Sequence, residues 1–275
     1  MTAPALLSPY SQSTRNVSGT SIATQMDING RTAIITGASS GIGRALALEF
    51  ARHGARVVCC ARRKERLTET VEMIEAEGGV GLAVPTDVTA YDQVRHLIGE
   101  TIRKFGFIDV LFNNAGSFQS IAGAYELDHD VWWHDVEVNL YGSMLLMREV
   151  LPHMLARDEG IIINMDGGRP PGGSGYACSK AALMELTRLL VEELSMINSS
   201  VMVFSAAPSL VRTEMTELQA YTPAGLKWFK TRERFETGRV RRPEDIARAT
   251  MRLIDVATPA SSGKRYDPDT DFSSF

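Results

Sequence analysis

Tyr176 and Lys180 stand four residues apart in the stretch Ser174-Gly175-Tyr176-Ala177-Cys178-Ser179-Lys180. On a helix this spacing puts both side chains on one face, with Cβ atoms roughly 5–6 Å apart. A phenol of pKa near 10 is scarcely ionised at neutral pH, but an ammonium beside it stabilises the phenolate and lowers that value. Such a pair can give a proton to a forming alkoxide or take one from an alcohol. Alone, Tyr and Lys at this spacing read as a surface pair. A second stretch, Thr36-Gly37-Ala38-Ser39-Ser40-Gly41-Ile42-Gly43, changes the reading. It follows the apolar run at residues 31–35 and opens a segment with Ile42, Leu46 and Phe50 on one helical face. Strand, glycine turn and helix in succession form a dinucleotide-binding turn. The free N–H groups at the start of the helix, and its positive dipole end, favour a pyrophosphate.

The elements that must position these groups alternate regularly. Residues 56–61, 80–84, 109–112, 161–164 and 201–204 are short apolar runs expected to be strands. Between them lie helical faces: Leu67, Val71 and Ile74; Val94, Ile98, Ile102 and Phe105; and longer helices over 131–155 and 176–196. Pro243, with Glu244 and Asp245 beside it, starts a further helix to residue 254. Apolar runs alternating with helical periodicity predict one doubly wound α/β domain, a parallel sheet with helices on both faces. With 44% hydrophobic and 23% charged residues in 275, the composition is that of a globular protein. A net charge of −4 gives no electrostatic case for nucleic acid. No apolar run reaches the roughly 18 residues that span a membrane, so no membrane partner is expected. Cys59 and Cys60 are expected to be buried free thiols, and Cys178 a packed small residue. Three cysteines make no disulfide framework, which points to a reducing, cytoplasmic compartment. Residues 1–28 hold no acid before Asp27 and one base, Arg15, and are expected to be a disordered extension. Organellar targeting by this extension stays open. The domain is expected over 29–275.

The glycine turn, Asp87, Asn113-Asn114-Ala115-Gly116, Asn139 and Tyr176-x-x-x-Lys180, in this order and spacing, resemble the short-chain dehydrogenase/reductase family over residues 29–267. The resemblance implies a Rossmann-like sheet of about seven strands, a nicotinamide cofactor, hydride transfer at a carbonyl or alcohol carbon, and a homodimer or homotetramer. It implies cofactor contacts from Gly37, Ser39, Ser40, Gly41, Ile42, Gly43, Asp87, Val88, Asn114, Ala115, Gly116, Tyr176, Lys180 and Thr213. Tyr176 would be the general acid/base, Lys180 would bond the ribose, and Asn139 would hold a water that links the lysine to solvent. No metal is expected. Asp87 could equally be a cap before Thr89.

At the end of the second strand, Cys60-Ala61-Arg62-Arg63 lacks the carboxylate that would accept from an NAD ribose, and Arg44 follows the glycine turn. Arg44 and Arg62 are therefore expected to take a 2′-phosphate, favouring NADP(H) over NAD(H). The family's active-site serine is absent: Asn164-Met165-Asp166-Gly167 puts Gly167 in its place. Three readings follow. Asp166 turns inward as a donor or polar-substrate ligand, Ser174 supplies the hydroxyl, or the chain binds cofactor with little turnover. The first two predict an NADP(H)-dependent carbonyl reductase or alcohol dehydrogenase; the third, a nucleotide-binding pseudoenzyme acting as sensor or partner subunit. Residues 209–238 should form a lid, with Tyr221, Trp228, Phe229 and Phe235 among Lys227, Lys230, Arg232 and Arg234. Phe118, Tyr125 and Trp132 would line the opposite wall. The substrate expected is a small, lipophilic or anionic carbonyl or alcohol compound.

Overall fold

The computed structural model describes residues 26–275. Its frame is one parallel sheet in the order β3-β2-β1-β4-β5-β6-β7. The strands are β1 (Thr32–Thr36), β2 (Arg56–Ala61), β3 (Val80–Pro85), β4 (Val110–Asn113), β5 (Ile161–Met165), β6 (Met202–Ala206) and β7 (Arg265–Tyr266). This is the Rossmann-like, doubly wound architecture. The first six strands fall on the apolar runs. The seventh is two residues long, too short to leave a periodic trace.

Successive strand residues serve opposite faces, as the pleat requires. Ala33, Ile35, Val57, Cys59 and Phe112 pack beneath α1 (Gly41–Arg52), α2 (Lys64–Ala76) and α10 (Pro243–Val256). Ile34, Val58, Cys60 and Leu111 pack beneath α3 (Tyr91–Phe105), α5 (Gly142–Arg157) and α6 (Ser174–Met196). Cys59 and Cys60 are thus buried on opposite faces, and desolvation pushes both thiols up to about 12. Met26 and Ile28 belong to the first core cluster, so the folded domain starts ahead of the boundary expected at 28. The rest of the expected extension, residues 1–25, lies outside the described residues. Among the described residues no helix is long and apolar enough to cross a membrane.

Sequence order reverses between β1 and β4, and the carboxyl ends of these strands open the crevice where such sheets bind ligands. The expected helix at 131–155 is three pieces: α4 (His129–Val136), a π-helical turn (Glu137–Tyr141) and α5. The stretch expected to form a lid folds as α7 (Glu214–Tyr221), α8 (Pro223–Trp228) and α9 (Thr231–Glu236).

One buried carboxylate fixes the segment after β4. Asp135 in α4 accepts from the Ser117 hydroxyl at 2.5 Å, the Gln119 and Ser120 N–H groups at 2.9 Å, and the Ser120 hydroxyl at 2.6 Å. Four donors in a low-dielectric interior make this hub expensive to break, since each stranded donor costs about 1–3 kcal/mol. Asp135→Ala is expected to lower stability by about 2–4 kcal/mol, read as a lower urea midpoint at unchanged slope. A loss below 0.5 kcal/mol would show that the segment is held otherwise.

Candidate active site

The crevice is a cleft of about 410 Å³, in the range of small-molecule sites. It runs from the glycine turn to Tyr176 and Lys180 and is roofed by Thr213, Glu214 and Met215. Of the sequence-derived cofactor contacts, Gly37, Ser39–Gly43, Arg62, Asp87, Val88, Asn114–Gly116, Tyr176, Lys180 and Thr213 all line it.

The turn is cinched from behind. Asn114 donates through Nδ2 to the Thr36 carbonyl at 2.8 Å, and the Asn114 and Ala115 N–H groups reach the Thr36 hydroxyl at 2.9 and 2.8 Å. A Cβ on Gly43 would lie 2.2 Å from the Gly37 carbonyl oxygen, so only glycine lets helix α1 start this close to β1. Asp87 accepts from the Thr89 N–H and hydroxyl at 3.0 and 2.8 Å. Burial opposes its ionisation, but these bonds and nearby Arg62 hold its carboxyl below the usual range. It lines the cleft and closes a local turn onto Thr89, but it caps no helix, since α3 begins from Ala90 without a side-chain cap.

Two of the expected residues sit elsewhere. The Arg44 guanidinium turns back to the Ser39 carbonyl at 2.9 Å, the Thr70 hydroxyl at 3.0 Å and Glu69 at 3.2 Å, and does not line the cleft. It braces α1 against α2. Its place is taken by Arg63, which lines the cleft and donates to the Ser40 hydroxyl at 2.8 Å. Ser174 is likewise committed: its hydroxyl accepts from the Trp132 indole at 3.1 Å, and it is not among the lining residues. Of the residues expected on the opposite wall, Phe118 lines the cleft while Trp132 and Tyr125 do not, Tyr125 being 80% exposed. Cys178 is exposed rather than packed, because the face of α6 opposite Tyr176 meets solvent.

Lys180 is buried at the end of β5, its ammonium donating to the Met165 carbonyl at 2.7 Å and lying 5.8 Å from the centre of the Tyr176 ring. Burial lowers its pKa to about 8, against the opposing attraction of Asp166. Tyr176 is pushed well above the ordinary phenol value by burial, then by the negative charges of Asp166 and Asp135, with Arg169 opposing. Its ring stacks on Phe118, centroids 4.3 Å apart and planes within 5°, and Phe229 meets Phe118 edge-on at 5.6 Å.

Gly167 explains its own identity. A Cβ there would lie 2.0 Å from the Tyr176 hydroxyl and 2.7 Å from Cζ. The phenol occupies the notch, so a serine fits only if the stacked ring moves. Asp166 is 2% exposed and turned inward, with Oδ2 accepting from Arg265 Nε at 2.8 Å and Arg169 3.6 Å from Oδ1. Oδ1 is buried without a hydrogen-bond partner. Asn139, in the π-helical turn, spends its whole amide on structure: Oδ1 accepts from the Ser117 N–H at 2.8 Å, and Nδ2 donates to the Ser117 carbonyl at 2.8 Å and the Ser179 hydroxyl at 3.0 Å.

The model of the family described as short chain dehydrogenase matches residues 31–222. A 3-oxoacyl-(acyl-carrier-protein) reductase of Thermotoga maritima is 34% identical over 250 residues, 87% of this chain and 96% of that protein. Two solved structures superpose closely. A metagenomic short-chain oxidoreductase in complex with NADP has a TM-score of 0.72 at 28% identity, covering 89% of this chain and 100% of its own. A short-chain dehydrogenase/reductase from Burkholderia phymatum in complex with NAD has a TM-score of 0.78 at 27% identity, covering 89% and 90%. The chain belongs to the short-chain dehydrogenase/reductase family of oxidoreductases.

Because the phenol fills the notch, Gly167→Ala is expected to displace it and lower kcat/KM about a hundredfold, the scale of an ångström-level misplacement. Cofactor affinity should stay within about twofold. A Gly167→Ser protein with raised activity would contradict this packing.

Proposed function

We propose that the protein is an NADP(H)-dependent carbonyl reductase or alcohol dehydrogenase in which Tyr176 is the general acid/base. The observation that carries the reading is the meeting of Tyr176 and Lys180 at the β5 end of the cleft that the glycine turn begins. The turn's glycine-only approach and the cationic Arg62 and Arg63 at the β2 end suit a phosphorylated dinucleotide. The bound nicotinamide supplies or accepts the hydride. The chain's own part is the proton. In reduction, the neutral Tyr176 phenol donates to the substrate oxygen, and charged Lys180 stabilises the phenolate left behind. In oxidation the same atom takes the proton. Phe118 stacks on the Tyr176 ring and Phe229 backs Phe118 edge-on, which fixes the orientation of the phenol.

With Gly167 and the committed Ser174 giving no hydroxyl, Asp166 is a positioning residue. Its charge keeps Lys180 protonated to higher pH than burial alone would allow. Asn139 acts likewise, tying the β4 loop to α6 through Ser117 and Ser179. The substrate we propose is a lipophilic carbonyl or alcohol compound. The aromatic side chains favour it, and two basic lid residues are already paired, Lys227 with Glu126 at 3.3 Å and Arg232 with Glu236 at 3.0 Å. A homo-oligomer in the reducing cytoplasm completes the reading, in keeping with the free thiols.

The test is NADPH oxidation across a panel of apolar aldehydes and ketones, with Tyr176→Phe as control. Turnover at least a hundredfold above that variant is expected, the loss typical of a missing general acid. Turnover equal to Tyr176→Phe throughout, with NADPH bound, would instead establish a pseudoenzyme. NADH bound at least as tightly as NADPH would contradict the cofactor assignment.

The pH dependence has a definite sign. Tyr176 stays protonated far above neutrality, so the first group to titrate is Lys180. Reduction is expected to fall as pH rises through about 8, where Lys180 loses its charge. Asp166 raises the lysine, so Asp166→Asn should move that limb to lower pH. An unmoved limb would remove Asp166 from this role.

A further inference from the structure

Glu214 opens α7, immediately after Thr213, whose hydroxyl caps the helix. Its carboxylate faces two guanidiniums from the β2–α2 junction. Oε2 lies 2.7 Å from Arg63, and Oε1 meets Arg66. The other terminal nitrogen of Arg63 reaches into the glycine turn, 2.8 Å from the Ser40 hydroxyl and 3.3 Å from that of Ser39. Ser39, Ser40, Arg63 and Glu214 all line the cleft. The bonds from Arg63 and Arg66 hold the Glu214 carboxyl below its usual range. An anion between two guanidinium forks, with two hydroxyls alongside, occupies the setting that a phosphate monoester prefers.

We infer that Glu214 is an internal counter-ion at this end of the cleft. It holds Arg63 in the cofactor-free protein and must release it when a 2′-phosphate enters, so Glu214 sets the ratio of NADP(H) to NAD(H) affinity. This rests on the reading of Arg63 as a cofactor-facing cation. NAD(H) carries a hydroxyl at that position and does not compete for the guanidinium. NADP(H) carries a phosphate that seeks Arg63 and repels Glu214 at once. The arginine available to the phosphate is then only a fraction of the population, and apparent affinity falls by that fraction. Arg63, Arg66 and Glu214 are each about half exposed, 45%, 46% and 55%, so the pairing is modest. An exposed pair of this kind shifts an equilibrium by up to about fivefold.

The discriminating experiment measures binding of NADPH and NADH by calorimetry to the full chain, Glu214→Gln, Arg63→Gln and the double variant. Thermal melts confirm that each is folded. Glu214→Gln is expected to raise the ratio of NADPH to NADH affinity threefold or more. In the Arg63→Gln background the same change should raise the ratio by clearly less, because the competition for Arg63 is gone and only the repulsion between Glu214 and the phosphate remains. A change below threefold in the wild-type background, a fall, or a gain undiminished without Arg63 would overturn the inference. The wild-type ratio is a separate result. A wild-type protein that binds NADH at least as tightly refutes the cofactor assignment above, whatever the variants show.

Discussion

The site depends on burying one ammonium. Lys180 lies in the interior at the end of β5, with the Met165 carbonyl as its hydrogen-bond acceptor. A lysine held at about 8 instead of 10.5 has lost about 3 kcal/mol of charging free energy. That value already contains a partial offset from Asp166, without which burial would lower it further. Asp166 stands beside the lysine as an opposite charge, held inward by Arg265 from β7. The short last strand thereby matters to chemistry at the middle of the sheet. The same carboxylate works against the phenolate, and so does Asp135. Tyr176 therefore rests as a firmly neutral phenol until a positive charge arrives beside it. On the proposed mechanism such a phenol donates a proton readily, and would accept one only with oxidised cofactor in place.

Packing reinforces the electrostatics. The connection from β5 to α6 is built of small residues, and the aromatics use the room. Trp228 would collide with a Cβ on Gly172 and Phe118 with one on Gly173, so both aromatics pack directly on that loop. Phe118 reaches Tyr176 because the Asp135 hub fixes the segment after β4. At Gly167 the phenol itself fills the space that a side chain would take, which completes this tightly packed corner.

Much of this was legible in the sequence. Strands buried on both faces read as continuous apolar runs, and the glycine turn, Asn114 and the Tyr–Lys pair lie at spacings set by backbone geometry. What was not legible depends on side-chain direction. Arg44 and Arg62 are the arginines the sequence offers for a phosphate, and residue type cannot show that Arg44 turns back to Thr70 while Arg63 turns forward to Ser40. Asp135 lies within the helical stretch at 131–155, and its residue type gives no sign that it is buried. Its burial follows from where the β4 loop folds over it. Asn139 was found by its context, but its commitment to Ser117 and Ser179 needs the π-helical turn, which no periodicity announces. Glu214 lies 151 residues from Arg63, beyond the reach of any local pattern.

On the proposed mechanism Tyr176 is a neutral phenol without cofactor and ionises only when the cofactor's positive charge joins Lys180. Ultraviolet difference titration near 295 nm, wild type minus Tyr176→Phe, isolates this phenol from the other tyrosines. Without cofactor, no phenolate signal from Tyr176 is expected below about pH 10, and it should appear at lower pH once NADP+ is added. A Tyr176 signal that titrates near neutrality without cofactor, or that does not move when NADP+ binds, would contradict that mechanism.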